Sequence, residues 1–336
     1  MRILITGITG FVGSHMCDYI LKNIKDVEIF GIKRWRSRED NIQHLLNDKR
    51  VTFIEADLLD RGSLRNALLI STPHIIFHFA SQSFPQASFQ VPITTLQTNI
   101  IGTTNLLEEI RELKYQNIID PVIISISSSE VYGNPFADEV PIKETNPIRA
   151  ANPYSISKVG HDLISQYYYK AFGLKIIVTR MFSHEGSRRG KEFALSSFAY
   201  QIAKAEQEYF WKDDQNIYDT YTILVGNLDS VRTYSHIEDA IEAYWQCSQR
   251  AIIGEVYNIG GSYTCTVKDA LEILLSMSTI PRKQIKIEID PSRVRPTDIT
   301  LQIPDCTKFK EQTGWNPKKS MADICGDLLN YWRNTL

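Results

Sequence analysis

The sequence predicts an α/β fold: a Rossmann-type doubly wound parallel sheet with a smaller C-terminal α/β lobe for substrate. Three observations carry this. Short apolar runs alternate with segments of helical spacing through the first half, a strand-turn-helix with glycines at 7, 10 and 13 opens the chain, and the rhythm loosens after Arg180. Strands that alternate with helices form parallel units whose sheet is covered on both faces.

The runs Ile3–Ile5, Val27–Ile32, Val51–Ile54, Ile75–Phe79, Val122–Ser127 and Lys175–Thr179 are rich in Ile, Val and Phe, as strands buried on both faces are. Between them, His15–Lys22, Ile93–Glu112 and Ser155–Phe172 have helical spacing. Beyond Arg180 the segments Val256–Ile259, Val267–Met277, Ile285–Ile289 and Met321–Trp332 read as elements of a second lobe. We therefore expect a nucleotide-binding lobe over 1–180, with part of 225–260 returning to it, and a substrate lobe over 181–336. A cleft between them would lie at the carboxyl ends of the strands, where ligands bind. Glu206–Tyr221 is polar, aromatic and without period, and reads as a surface insertion or an element of specificity.

Composition narrows the function. With 37 Lys+Arg against 39 Asp+Glu, the chain has no broad basic field for nucleic acid. A charged fraction of 23% beside 43% hydrophobic residues excludes a disordered chain. No apolar run approaches the roughly 18 residues of a membrane span. Five scattered cysteines without a CxxC pair predict reduced thiols and a cytoplasmic protein whose fold starts at Met1.

The turn Gly7-Ile8-Thr9-Gly10-Phe11-Val12-Gly13 joins a strand to a helix. Glycine permits positive φ and carries no Cβ, so the backbone can approach a pyrophosphate whose charge sits at the helix N-terminus. An NAD site places an acid about 20 residues on, whereas a 2′-phosphate calls for basic groups. Here Lys33 stands in that place, with Arg34 and Arg36 to clamp a phosphate. NADP is favoured over NAD, the alternative being a solvated basic loop. Asp57, just past the third strand, is placed for the adenine amino group.

Two segments carry the chemistry: Ser127-Ser128-Ser129-Glu130-Val131-Tyr132-Gly133 at a strand end, and Tyr154-Ser155-Ile156-Ser157-Lys158 opening a helix after Pro153. Tyr154 and Lys158 share a helical face. A nearby ammonium favours phenolate, which predicts a Tyr154 pKa below the usual ~10. His184-Glu185 has no second histidine in the HExxH place, where Arg188 stands, so no metal is assigned.

In these motifs the chain resembles the extended short-chain dehydrogenase/reductases, and within them the GDP-mannose 4,6-dehydratases and GDP-4-keto-6-deoxymannose reductases. Phe77-His78-Phe79-Ala80, Asn99-Ile100-Ile101-Gly102-Thr103, Lys33-Arg34-Trp35-Arg36-Ser37, Arg180 through Gly190, Gly226 through Arg232, Val294 through Asp298 and Gly314-Trp315-Asn316-Pro317 are the matching stretches. The resemblance implies a catalytic set of Ser128, Glu130, Tyr154 and Lys158. It implies cofactor contacts from Gly7, Thr9, Gly10, Phe11, Val12, Gly13, Lys33, Arg34, Arg36, Asp57, Leu58, Phe79, Ala80 and Ser81, with Tyr154 and Lys158. Ser83, Ser183, Arg189, Asn227, Arg232 and Arg295 would contact a GDP-sugar, a hexose or a heptose; Arg232 and Arg295 suit its diphosphate.

The implied reaction oxidises C4 transiently through Tyr154, eliminates water across C5–C6 through Glu130 and returns the hydride to C6. The implied partner is a second copy, in a homodimer or homotetramer. The reductase, a 4-epimerase and a non-catalytic dinucleotide sensor are alternatives, and an intact Ser128, Tyr154 and Lys158 argues against the last. Three departures stand out: Ser183 where the family usually has asparagine, Ser128 where the dehydratases usually have threonine, and the longer 206–221 segment.

Overall fold

The computed structural model describes residues 1–211 and 220–336. Its first half runs β1 (Arg2–Thr6), α1 (Phe11–Asn23), β2 (Glu28–Lys33), β3 (Val51–Glu55), α2 (Arg61–Ser71), β4 (Ile75–His78), α3 (Pro85–Gln90), α4 (Pro92–Leu96), α5 (Gly102–Tyr115), β5 (Val122–Ile126), α6 (Pro153–Phe172) and β6 (Lys175–Met181). Then follow β7 (His184–Glu185), α7 (Ala194–Trp211), β8 (Tyr221–Val225), β9 (Val231–His236), α8 (Ile237–Arg250) and β10 (Val256–Ile259). The chain ends with β11 (Tyr263–Thr266), α9 (Val267–Ser276), β12 (Ile285–Ile289), β13 (Leu301–Gln302), α10 (Thr307–Thr313) and α11 (Met321–Thr335).

Seven parallel strands form the main sheet in the order β10-β6-β5-β4-β1-β2-β3. Alternation along β1 shows how it is covered on both faces. Ile3 and Ile5 pack with Met16, Ile20 and Tyr244 of α1 and α8. Leu4 enters the opposite core with Leu68 and Ile110 of α2 and α5. The strand order reverses between β1 and β4, so their loops part and leave a crevice at the carboxyl ends.

The second lobe has its own core, built from Phe198 and Ile202 of α7, Leu271 and Leu274 of α9, and Leu328 of α11. Its strands form the parallel pair β8–β12 and a small sheet in which β9 is flanked by β11 and β13 and also pairs with β7. Among the described residues no helix is long and apolar enough to cross a membrane.

Two expectations change. The segment expected as loop from Glu206 begins as the last turns of α7, because Leu195, Phe198, Ile202 and Ala205 continue one buried stripe. Glu206 itself is buried and bound by Arg333 at 2.7 Å. Residues 212–219, the middle of that segment, lie outside the described residues. The helix expected over Ile93–Glu112 is divided by a π-helical turn, Gln97–Ile101. Such turns concentrate at functional sites; this one holds Asn99, which donates to Ser157 Oγ at 2.8 Å, and Ser157 donates to the Tyr154 carbonyl at 2.6 Å.

Helix α6 starts and stops where its sequence says it should. Asn152 caps it by accepting from the Ser155 amide at 2.8 Å, Pro153 occupies the first turn, and Gly173 closes it at φ +63°. Midway, Asp162 forms a buried bidentate pair with Arg180 of β6 at 2.9 and 3.1 Å. Arg180 also donates to Tyr132 Oη at 2.9 Å, so one guanidinium ties α6, β6 and the loop after β5 together. Removing one partner leaves a buried charge uncompensated. Asp162→Ala should therefore lose about 3–5 kcal/mol in urea unfolding; a loss of only ~0–1 kcal/mol, as for an exposed pair, would refute this role.

Candidate active site

At the end of β1 the chain turns through Gly7 at φ +71°, and a Cβ there would stand 2.9 Å from the Ala80 backbone. At Gly13 a Cβ would come within 2.3 Å of the Gly7 carbonyl oxygen. Both positions need glycine because strand, turn and helix are in backbone contact. Helix α1 has no side-chain cap and no acid in its first turn, which leaves its first N–H groups free for an anion.

Around this turn, among the described residues, the buried His184 Nε2 and Tyr244 Oη have no hydrogen-bond partner, and Arg189 Nε and Glu185 Oε2 meet only each other, as an ion pair at 3.5 Å. The His184 ring is stacked 5.7 Å from Phe11, Arg189 lies 5.1 Å over the Phe11 ring, and Tyr244 meets the Phe79 ring at 5.2 Å. A glycine cradle beside unfilled donors and acceptors fits a dinucleotide. Arg189, expected on the substrate, is thus placed against the glycine turn. His184 and Tyr244 were not picked from sequence, since nothing in their local spacing shows that β7 and α8 fold back onto α1.

The basic loop after β2 is a tight turn, with the Ser37 amide donating to the Arg34 carbonyl at 2.9 Å. Arg34 and Arg36 project from it exposed, whereas Lys33 is taken by Glu39 in an ion pair. Lys33 and Glu55 are paired neighbours on β2 and β3, which brings this loop beside Asp57 and Leu58. Asp57 Oδ1 accepts from the Leu59 amide at 3.0 Å. Thr9 gives its carbonyl to Asn41 at 3.1 Å, and Phe79, Ala80 and Ser81 follow β4.

The two segments expected to carry the chemistry meet. Ser128 Oγ accepts the Glu130 amide at 3.2 Å and caps the short 3-10 turn Ser129–Tyr132. Asn152, the cap of α6, donates its amide to Glu130 Oε2 at 3.0 Å, so one side chain orients both the helix and the carboxylate. Burial pushes the Tyr154 phenol well above its usual range, Glu130 pushes it further, and a hydrogen bond with Ser128 and the charge of Arg189 act the other way. Lys158 differs from expectation. Its Nζ donates to the Ile126 carbonyl at 2.8 Å, burial lowers its pKa to about 7, and Arg189 is the cation acting on the phenol.

Ser128, Glu130 and Tyr154 open onto a cleft of about 690 Å³ between the lobes, which Ser83, Ser183, Asn227, Arg232 and Arg295 also line. Arg295 Nη1 lies 4.0 Å from Glu130 and 3.9 Å from Asp298, within reach of both yet bonded to neither. Arg232 is more confined: it donates to the Val231 carbonyl at 3.0 Å and to the Ile299 carbonyl. Asn227 spends its amide on Asp298 at 2.8 Å and so positions that acid. Arg293 and Gln302, which the sequence did not single out, line the cleft as well. Among the described residues no three His, Cys, Asp or Glu side chains gather to hold a metal.

The family model described as GDP-mannose 4,6 dehydratase matches residues 4–328. The chain belongs to that family. It is similar to a GDP-mannose 4,6 dehydratase of Drosophila melanogaster, 28% identical over 97% of this chain and 84% of the relative. It is also similar to a GDP-6-deoxy-D-mannose reductase of Pseudomonas aeruginosa, 24% identical over 99% of this chain and 97% of the relative. The solved RMD protein from Pseudomonas aeruginosa, complexed with NADPH, superposes at a TM-score of 0.80 with 24% identity and full coverage of both chains. For the GDP-mannose 4,6 dehydratase family, then, this chain has one site with two halves, a glycine-turn cradle and an arginine-bearing cleft, joined at Tyr154.

The buried histidines here set an acid limit. Burial holds His78 and His184 down at about 3, against roughly 6.5 when exposed. The unfolded chain takes up protons near pH 6.5 that these rings refuse in the fold. Their contribution to stability is complete above ~6.5 and is lost as pH falls toward about 3. Denaturant titrations should show stability falling through that window, and His78→Gln should flatten the slope; an unchanged slope would contradict it.

Proposed function

We propose that this chain is an NADP-dependent nucleotide-sugar 4,6-dehydratase, a lyase that converts GDP-mannose or a GDP-heptose to its 4-keto-6-deoxy derivative. The observation that carries this is Glu130. A carboxylate oriented by Asn152 stands in the same cleft as Ser128 and Tyr154, where a 4-epimerase needs no second base. Family membership supports the reading.

NADP, when bound, supplies the acceptor and donor of hydride. Gly7, Gly10, Gly13 and the α1 N-terminus would hold its pyrophosphate, Arg34 and Arg36 its 2′-phosphate, with Lys33 kept beside them by its ion pair with Glu39, and Asp57 its adenine, while His184 and Arg189 stand beside the glycine turn. The NADPH carried by the structural neighbour from Pseudomonas aeruginosa is consistent with this. Tyr154 takes the proton of the sugar 4-hydroxyl, aided by Ser128, which hydrogen-bonds O4, and by the charge of Arg189. Lys158, with one donor on Ile126, has others left for a ribose. A C4 ketone acidifies C5–H; Glu130 removes that proton and passes it to the departing 6-hydroxyl, so water leaves, and the hydride taken from C4 is returned to C6 while C5 regains a proton equivalent to the one Tyr154 took from O4. The net change is loss of one water, with no net reduction.

Residues 1–180 with the returning α8 and β10 serve the cofactor, and 181–336 serve the sugar nucleotide. A homodimer or homotetramer is the expected assembly. Ile156, Leu163 and Tyr167 form one exposed stripe on α6, with Ile93 of α4 and Ile101 exposed nearby. Five buried, unpaired cysteines suit the cytoplasm. The reductase reading stays as an alternative because the Pseudomonas aeruginosa relative of that name spans the whole chain.

With GDP-mannose and catalytic NADP, mass spectrometry should find product lighter by one water; consumption of reduced cofactor in step with product would establish the reductase instead. Glu130→Gln should lower turnover about 10²- to 10⁴-fold while NADP affinity, read by titration calorimetry, stays unchanged. Leu163→Glu with Tyr167→Glu should shift the protein to monomer in sedimentation; an unchanged assembly would place the contact elsewhere.

A further inference from the structure

We propose that Arg293 reads the nucleobase of the sugar nucleotide by donating two hydrogen bonds to O6 and N7 of guanine. The inference rests on the nucleotide-sugar reading above and adds the residue that selects the base.

Arg293 lines the cleft, and its guanidinium is held on two edges. Nη1 donates to Ser197 Oγ of α7 at 2.8 Å and Nε to Asp290 Oδ2 at 3.3 Å. Asp290 is itself fixed by the amide and hydroxyl of Ser292 at 2.9 and 2.7 Å. Nη2 has no protein partner among the described residues, and Nη1 keeps a second hydrogen. A planar fork oriented in this way is set to meet two acceptors side by side.

Its place along the cleft says which part of the ligand it meets. Arg295 stands within 4.0 Å of Glu130, at the end where the sugar reacts. Arg293 is two residues back along an extended link, at most about 7 Å of chain, and its carbonyl packs against Gly226 at the end of β8. Beyond Glu130 the wall thus presents Arg295, then Arg293 beside Ser197. A sugar placed at Glu130 with its diphosphate at Arg295 sends the nucleoside toward Arg293.

Charge decides between base and phosphate. The Asp290 carboxylate beside it offsets much of the positive charge of Arg293 without consuming the outward donors. Such a guanidinium adds little attraction for an anion but keeps directional donors for a neutral pair of acceptors. Guanine offers O6 and N7 side by side, whereas adenine puts an amino donor in place of O6.

The test uses NADP-loaded protein and titration calorimetry with GDP, IDP and ADP. GDP and IDP, which share O6 and N7, should bind alike, and ADP about tenfold to a hundredfold more weakly. Arg293→Met should bring GDP and IDP down to the level of ADP and leave ADP within about twofold. Arg293→Lys, which keeps the charge and loses the fork, should behave as the Met variant does. Equal weakening of all three ligands, a lysine variant that retains the GDP preference, or a wild type that does not discriminate would each overturn the inference. A wild type that binds none of the three would overturn the nucleotide-sugar reading, and the inference with it.

Discussion

Arg180 joins three parts of this molecule through one side chain. Its guanidinium is buried, meets both oxygens of Asp162, and reaches Tyr132 Oη and the Glu144 carbonyl. Tyr132 in turn donates to Asn258 at 2.7 Å, on the returning strand β10. Two charges taken out of water are costly unless their donors are satisfied; here four of the five N–H groups of Arg180 are bonded, and the geometry that satisfies them is what joins the pieces of the site. Ser128 and Glu130 ride on the loop that Tyr132 ends, Tyr154 and Lys158 ride on the helix that Asp162 belongs to, and β6 lies between.

A second buried system does the same for the cofactor half. Thr6 pairs with His78 Nδ1 at 2.9 Å, His78 reaches Thr103 at 3.0 Å, and Thr103 reaches His161, which meets Ser125 at 2.8 Å. This chain of neutral groups links β1, β4, α5, α6 and β5 directly under the glycine turn. Burial, with the charge of Lys158 pressing in the same direction, keeps both rings uncharged. Beside the turn above them the condition is the opposite: among the described residues the buried His184 Nε2 and Tyr244 Oη have no hydrogen-bond partner. A rigid, satisfied floor under an unsatisfied surface is the arrangement expected of a preorganised site.

In the cleft, acids sit among the arginines. Asp298 lies 3.9 Å from both Arg232 and Arg295, Glu130 4.0 Å from Arg295, and Asp290 3.3 Å from Arg293. Guanidinium groups that would otherwise repel one another are kept in place by these carboxylates. The near-balance of the whole chain, 37 basic against 39 acidic residues, is thereby repeated at the scale of the site. An anionic group entering the cleft would meet positive charge already fixed in position, close to its acidic neighbours.

Much of this was legible in the sequence, and for a local reason. Strand and helix periods, the glycine spacing, Pro153 at the opening of a helix and the four-residue step from Tyr154 to Lys158 are set by residues close along the chain, so the fold and the glycine turn could be read directly, and the segments of Ser128, Glu130, Tyr154 and Lys158 could be picked out together. What waited for the tertiary structure were contacts between distant segments. Arg189 lies over the rings of both Phe11 and Phe193, because β7 folds onto α1; Lys158 is turned to Ile126 by its depth in the core; Asn227 is spent on Asp298; the 206 end of the supposed insertion is helix because a buried stripe continues there. Arg293 belongs with these, for its partner Ser197 stands nearly a hundred residues earlier and only the packing of β12 beside β8 and α7 brings the two within a hydrogen bond.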